Sequence, residues 1–280
     1  MRIAGHDVGV CSWSLKPRDV AELVGQVKSL GLSHVQLGLQ ELLFLDDKRK
    51  HQELGHLRDS GIQLTSTMIS FPGENYSSIA SIKETGGIVP DGDWEVRRQM
   101  AINAGKLTAE LGQKYMTFHL GFVPPSNHDR YQTLLTRLCE VAEPVNQQGV
   151  EILLETGQEE ATVLLQFLND LGCRNVGINF DPANMILYGA GDPIQAIRTL
   201  TRHIKHVHVK DGVPSDKPGV NWGQEVPFGK GVVDPVAFLT ALKEVGYTGA
   251  LAFEREAGND RLGDVRIGIE ALQKAGAELG

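Results

Sequence analysis

With 280 residues, 41% of them hydrophobic, the chain is long enough to bury a sizeable core, and its net charge of −8 at pH 7 opposes a surface built for nucleic-acid phosphates. Cys11, Cys139 and Cys173 are odd in number, far apart and in no CxxC spacing, so neither a disulfide framework nor a sulfur-ligated metal site is expected, and a reducing cytoplasm fits. No apolar stretch approaches the roughly 20 residues that span a bilayer, and MRIAGHDVGVCSW lacks the sustained apolar run of a secretory leader.

Apolar runs of strand length alternate with helix-length amphipathic segments throughout. Strands are expected at 8–13, 34–38, 62–69, 114–120, 150–155, 175–181, 204–209 and 249–254. Pro17 opens the first helix, for which Gly31 is the stop, and further helices are expected over 47–59, 93–111, 127–147, 158–171, 192–202, 234–245 and 263–277. Eight β–α units with near-continuous apolar strands imply a parallel sheet closed into a (β/α)8 TIM barrel, a single domain over residues 1–280. The runner-up, an open doubly wound sheet, would be expected to carry GxGxxG after the first strand, and none is present. Two long segments, 71–94 and 214–234, follow the third and seventh strands and read as cover for a site on the C-terminal rim.

Four consecutive strands end in a metal-capable side chain: Glu155 in VEILLET, Asp181 in VGINFDPAN, His208 in HVHVKD and Glu254 in GALAFERE. In a parallel barrel such ends converge on one rim. Three carboxylates and one imidazole make a hard, oxygen-rich site suited to Mn²⁺, Mg²⁺ or Co²⁺ rather than a thiolate zinc cage. Strand parity is consistent, because Leu153, Asn179, His206 and Ala252 would share the inward face with these ligands.

ILLE, FDPAN, HVHVKD, PFGKGVVD and GYTGALAFERE resemble the xylose isomerase-like TIM-barrel superfamily, in the sugar phosphate isomerase/epimerase branch that includes D-tagatose 3-epimerase and inosose dehydratase. The resemblance implies one divalent metal ion, Mn²⁺ first and Mg²⁺, Co²⁺ or Zn²⁺ as alternatives, held by Glu155, Asp181, His208 and Glu254. It also implies that Glu155 and Glu254 act as acid and base on opposite faces of a sugar substrate. An ion chelated by a carbonyl and a neighbouring hydroxyl would stabilise an enediolate. Expulsion of a β-oxygen from the same species would make the enzyme a dehydratase or lyase instead. The chain departs from ketose 3-epimerases at two places: Asn184 stands where they carry a substrate-binding His, and Pro214 where they carry an Arg.

Other candidates surround this set. His119 closes the fourth strand and reads either as a substrate contact or as a partner for a ligand carboxylate. Lys210, Gln36 and Trp13 are further substrate-binding candidates, with pairing to Asp211 the bland alternative for Lys210 and packing for the other two. His206 reads as structural. Trp222 and Phe228 read as anchors over a sugar or as loop fixings. Gly86–Gly87 and Gly229–Lys230–Gly231 only loosely resemble phosphate-cradling turns. The expected partner is a small-molecule sugar, with no nucleic acid and no membrane, and a homo-oligomer is left open. A metal-dependent endonuclease on the same barrel would be expected to need more His and acidic ligands and a basic face. A non-catalytic sugar-binding barrel would not need both glutamates.

Overall fold

The structure, a computed structural model, describes residues 1–279. Eight parallel strands form the barrel: β1 (His6–Cys11), β2 (His34–Gly38), β3 (Gln63–Met68), β4 (Tyr115–Phe118), β5 (Glu151–Glu155), β6 (Val176–Phe180), β7 (Ile204–Val209) and β8 (Leu251–Phe253). Each pairs with its neighbour in sequence, and β8 closes the ring by setting Leu251 opposite both Val207 and Val8. A two-residue strand, Arg2–Ile3, pairs antiparallel with the start of β1.

The barrel has two environments, and strand alternation separates them. Val35, Leu37, Ile152, Leu154, Ile178, Phe180, Val207 and Val209 belong to the apolar core and are at most 3% exposed. Burying each such side chain contributes about 1.5–3 kcal/mol, which makes this layer the main source of stability. The alternate residues carry polar groups into the barrel. Gln36, Asn179, His206 and His208 are all fully buried there and hydrogen-bonded to one another.

Several boundaries differ from the sequence expectation. β1 begins earlier, at His6, and gives out at Cys11, because Ser12–Leu15 winds into a 3₁₀ turn. The first helix runs Val20–Ser29, and its start is set by the Asp19 carboxylate accepting from the Glu22 amide at 2.8 Å rather than by Pro17. Both long rim segments contain regular structure. Segment 71–94 holds a helix at Ile79–Thr85, and the seventh-strand segment forms an antiparallel ribbon of Asp211–Val213 with Gln224–Val226.

The expectation of unpaired cysteines is overturned. Cys139, in the helix Asp129–Asn146, and Cys173, just before β6, form a disulfide with Cα atoms 5.4 Å apart. They lie 34 residues apart in sequence, but consecutive β–α units pack side by side, which their spacing in the chain does not show. Cys11 stays free and buried.

Arg97, in the helix Trp94–Glu110, is 1% exposed and ties down the third-strand segment. Its guanidinium donates to the carbonyls of Thr85 (2.7 Å), Gly87 (2.6 Å) and Pro72 (2.8 Å).

Candidate metal and proton-transfer site

The ends of β5 to β8 bring Glu155, Asp181, His208 and Glu254 together. One ligand atom from each lies within 4.8 Å of all the others, and all four residues are buried. His208 Nδ1 sits among the carboxylates, 3.2 Å from Glu155, 3.4 Å from Asp181 and 3.2 Å from Glu254. Its other nitrogen, Nε2, donates to Gln36 Oε1 at 2.5 Å. With a cation in the cage, that acceptor would keep the proton on Nε2 and leave the Nδ1 lone pair free to ligate; without one, burial would lower the imidazole, but the surrounding carboxylates raise it well above its ordinary value.

Asp181 doubles as the cap of the helix Pro182–Tyr188, accepting the Asn184 amide at 2.9 Å through one oxygen and leaving the other for the cage. Its backbone is locked by Thr156, whose hydroxyl accepts from the Asp181 amide and donates to the Asp181 carbonyl. Gly157 lies directly beneath, with φ near +141°, and a Cβ there would collide with Asn184. Only glycine lets the chain leave β5 so close to that side chain.

Each glutamate has its own donors. Glu155 Oε1 accepts from Asn184 Nδ2 at 3.0 Å, and its Oε2 lies 3.4 Å from His119 Nε2. Glu254 Oε1 accepts from Trp13 Nε1 at 2.6 Å, and its Oε2 accepts from Lys210 Nζ at 2.8 Å. Lys210, 2% exposed, also reaches Glu256 at 3.0 Å and Asn184 Oδ1 at 3.3 Å.

Burial works against these charges but does not win. It would raise Asp181 and Glu254, yet the Lys210 ammonium and the His208 imidazole hold both below the usual carboxylate range. Lys210 is likewise pulled down by burial but pushed well above its ordinary value by Glu254, Glu256 and Asp181. His119 is raised, because Glu155 and Glu74 outweigh its desolvation.

Not every candidate faces the cage. Gln36 is fully buried below it and its amide is committed to His208, Cys11 and Thr117, so it orients the imidazole instead of lining the pocket wall. Trp13 serves as the Glu254 donor and also walls a cavity of about 490 Å³ between the first two units. Asn184 spends both ends of its amide on Glu155 and Lys210. Pro214 is exposed beyond the ribbon. Phe228 packs in the core on Phe238 and Phe253 rather than over the rim.

His206 is a buried imidazole between Asn179 and Thr65, held neutral by desolvation and by neighbouring His208. Asp211 does not pair with Lys210. It accepts the amides of Gly212, Gly229, Gly231 and Val233 at 2.8–3.0 Å and so ties the seventh segment to β7. Gly87 likewise donates its amide to Glu74 at 2.8 Å, so neither glycine turn is a phosphate cradle.

Cys11 Sγ, His208 and Glu254 form an alternative trio of ligand atoms. Burial pushes the Cys11 thiol up to about 12, and its Sγ donates to Gln36 Oε1 at 3.4 Å, so it is a poor ligand beside the carboxylates. The donor set fits a hard divalent cation. Three buried carboxylates face one imidazole and one ammonium, and Glu155 Oε2 has no hydrogen-bond partner among the described residues.

Arg255, Glu225 and Glu159 are contributors that sequence reasoning missed. Arg255 NH1 donates to Glu225 on the ribbon at 2.7 Å, and Glu225 also accepts the Glu256 amide at 2.9 Å, which fastens the seventh segment to the end of β8. Glu159 follows Glu155 by four residues and accepts the Val123 amide at 2.8 Å. Burial pushes its carboxyl from the ordinary 4.5 up to about 7, despite the Val123 amide and His119.

With the folded value raised, the unfolded chain loses its proton first as pH climbs. The stabilising contribution is complete below 4.5 and lost as pH passes about 7. Calorimetry of the protein and of Glu159→Gln between those limits should show the parent losing several degrees of Tm relative to the variant; a constant difference would contradict the assignment.

A family profile described as xylose isomerase-like TIM barrel matches residues 24–275. The crystal structure of a xylose isomerase domain protein from Planctomyces limnophilus superposes with a TM-score of 0.89 at 32% identity, covering 98% of both chains. More remote structures share the fold: a D-tagatose 3-epimerase-like protein (20% identity, TM-score 0.73, 98% of this chain and 100% of that one) and the probable 3-DHS dehydratase of Bacillus anthracis (19%, 0.71, 95% and 98%). An uncharacterized protein of Methanocaldococcus jannaschii is 26% identical over 178 residues, 59% of this chain and 58% of that relative's length.

Proposed function

The chain belongs to the xylose isomerase-like TIM barrel family, and from that premise we propose that it is a divalent-metal-dependent isomerase or epimerase of a ketose, keto-sugar or related polyhydroxy carbonyl compound. The observation that carries the reading is the cage of Glu155, Asp181, His208 and Glu254, with separate hydrogen-bond donors for its two glutamates. Those four side chains would hold the ion, with Mn²⁺ as first choice. When bound, it would polarise a carbonyl and an adjacent hydroxyl and so acidify the proton on the carbon next to that carbonyl.

In this reading the protein's groups do the rest. Glu155 ends β5 and Glu254 directly follows β8, three strands apart around the rim, so one removes the proton and the other returns it from the opposite side. Lys210 and Trp13 fix the Glu254 carboxylate, while Asn184 fixes that of Glu155 and His119 stands 3.4 Å from its other oxygen. Asp181 and His208 chiefly hold the ion. The segments 71–94 and 214–234, pinned by Arg97 and by the Arg255–Glu225 pair, exclude water.

Elimination is the second reading, favoured by the dehydratase among the structural neighbours. Lys210 and His119 stand beside the glutamates as N–H donors that could protonate a departing oxygen. The catalytic unit is taken to be one domain acting on a small sugar, without nucleic acid or membrane. Among the described residues no helix is long and apolar enough to cross a bilayer. Cytoplasmic location belongs to the same proposal, with the Cys139–Cys173 link as the observation against it.

The test is solvent exchange. The Mn²⁺-loaded protein, incubated in D₂O with a panel of ketoses, keto-sugars and inososes, is expected to place deuterium on the carbon beside the carbonyl of at least one, and to stop doing so with EDTA. Exchange with none of them would count against proton abstraction. Dehydrated product in place of an epimer would select the second reading.

A further inference from the structure

Ten buried side-chain polar atoms lack a hydrogen-bond partner among the described residues, and four of them belong to one neighbourhood: Glu155 Oε2, His119 Nδ1, Gln158 Nε2 and Trp222 Nε1. His119 touches Glu155 at 3.4 Å. Gln158 is 7% exposed, three residues beyond Glu155, and one N–H of its amide is within reach of the Tyr188 oxygen, which leaves the other without an acceptor. The Tyr188 ring lies 4.6 Å from that of Trp222 and 5.7 Å from that of Phe122. Donors left unpaired beside a reaction centre await acceptor atoms, since buried N–H groups in folded proteins are otherwise nearly always satisfied.

We propose that Gln158 and Trp222, against the aromatic wall of Phe122 and Tyr188, form a recognition subsite for an uncharged, hydroxylated ring, the part of the substrate remote from the cage. The proposal rests on the isomerase/epimerase reading and adds the chemistry of the substrate. Two neutral N–H donors suit hydroxyl oxygens, and an aromatic wall suits the C–H face of a ring.

Charge weighs against an anionic group. Glu155 and Glu74 are the acidic groups acting on Tyr188, the Lys210 ammonium is spent on Glu254 and Glu256, and the glycine turns give their amides to Glu74 and Asp211. A phosphate would meet these carboxylates with one cation nearby, the exposed Lys83 ammonium 5.7 Å from the centre of the Phe122 ring, and the neutral donors favour a hydroxyl over it.

The experiment measures binding by isothermal titration calorimetry, so it does not depend on turnover. The Mn²⁺-loaded protein, Gln158→Leu and Trp222→Phe are each titrated with scyllo-inosose, with the open-chain dihydroxyacetone and with dihydroxyacetone phosphate. Gln158→Leu removes the donor at similar volume, and Trp222→Phe keeps the ring while deleting its N–H.

Each variant should weaken the Kd for the cyclic probe about 3- to 10-fold while changing that for dihydroxyacetone less than 2-fold, and the phosphate should bind no better than its unphosphorylated parent. Equal effects on both neutral probes, no binding of the cyclic probe by the parent protein, or preference for the phosphate would overturn the subsite. Deuterium exchange on the same samples separates the two claims. Selective binding without exchange on any probe sinks the proton-abstraction reading and leaves the subsite standing. Exchange with an unchanged ratio of Kd values sinks only the subsite.

Discussion

Replacing Glu254 by Gln is expected to lower turnover about 10³-fold at saturating metal, within the range that positioned general acids and bases contribute. The amide keeps the shape, and its oxygen still accepts from one of Trp13 Nε1 and Lys210 Nζ, which lie 2.6 and 2.8 Å from the two carboxylate oxygens. It cannot take up a proton at neutral pH. Glu155→Gln should have an effect of the same order, because Asn184 and His119 place Glu155 in the corresponding position on β5. Asp181→Asn should differ in kind: the metal concentration for half-maximal rate rises, but the rate at saturating metal falls much less. Full turnover in both glutamine variants on an active substrate would remove the proton-handling roles. Losses that saturating metal repairs would reduce them to ligation.

Lys210→Met should be the most destabilising change near the site. Its Nζ lies 2.8 Å from Glu254, 3.0 Å from Glu256 and 3.7 Å from Asp181, and the ammonium is 2% exposed. Methionine fills similar space and leaves these carboxylates without their cation. Removing one partner of a buried pair costs about 3–5 kcal/mol. In EDTA the variant is therefore expected to lose that much unfolding free energy in urea. Saturating Mn²⁺ should recover part of the loss, because the ion binds only the folded cage and supplies the missing positive charge. A variant as stable as the parent in EDTA would show that Lys210 is not the counter-charge of the cage.

The barrel is legible in the sequence because its signals are local. Apolar strand runs and amphipathic helical segments repeat eight times, and alternation within IKHVHV or VEILLE tells which residues face inward. The cage is legible for a related reason: in a closed parallel sheet every strand end reaches the same rim, so Glu155, Asp181, His208 and Glu254 need no long-range guess.

Side-chain partners are a different matter. Arg97 stands four residues after Asp93 and reads as half of an exposed helical ion pair. Only the fold reveals that it reaches three loop carbonyls. Trp13 and Glu254 are separated by almost the whole chain, and Gln36 meets His208 across the barrel interior. The Cys139–Cys173 link was hidden for the same reason, since helix packing between successive units sets it. Trp222 reads from the sequence as an anchor over a sugar or as a loop fixing, and Gln158 carries no motif; the mark they share is an unpaired donor in three dimensions.

The most direct test of the central claim is a Mn²⁺ titration of the EDTA-stripped protein, followed by electron paramagnetic resonance of the free ion. The cage predicts one Mn²⁺ per chain in the parent, with affinity about 100-fold weaker or undetectable in both Asp181→Asn and His208→Gln, which remove ligands. No stoichiometric site in the parent, or one that survives both substitutions unchanged, would contradict it.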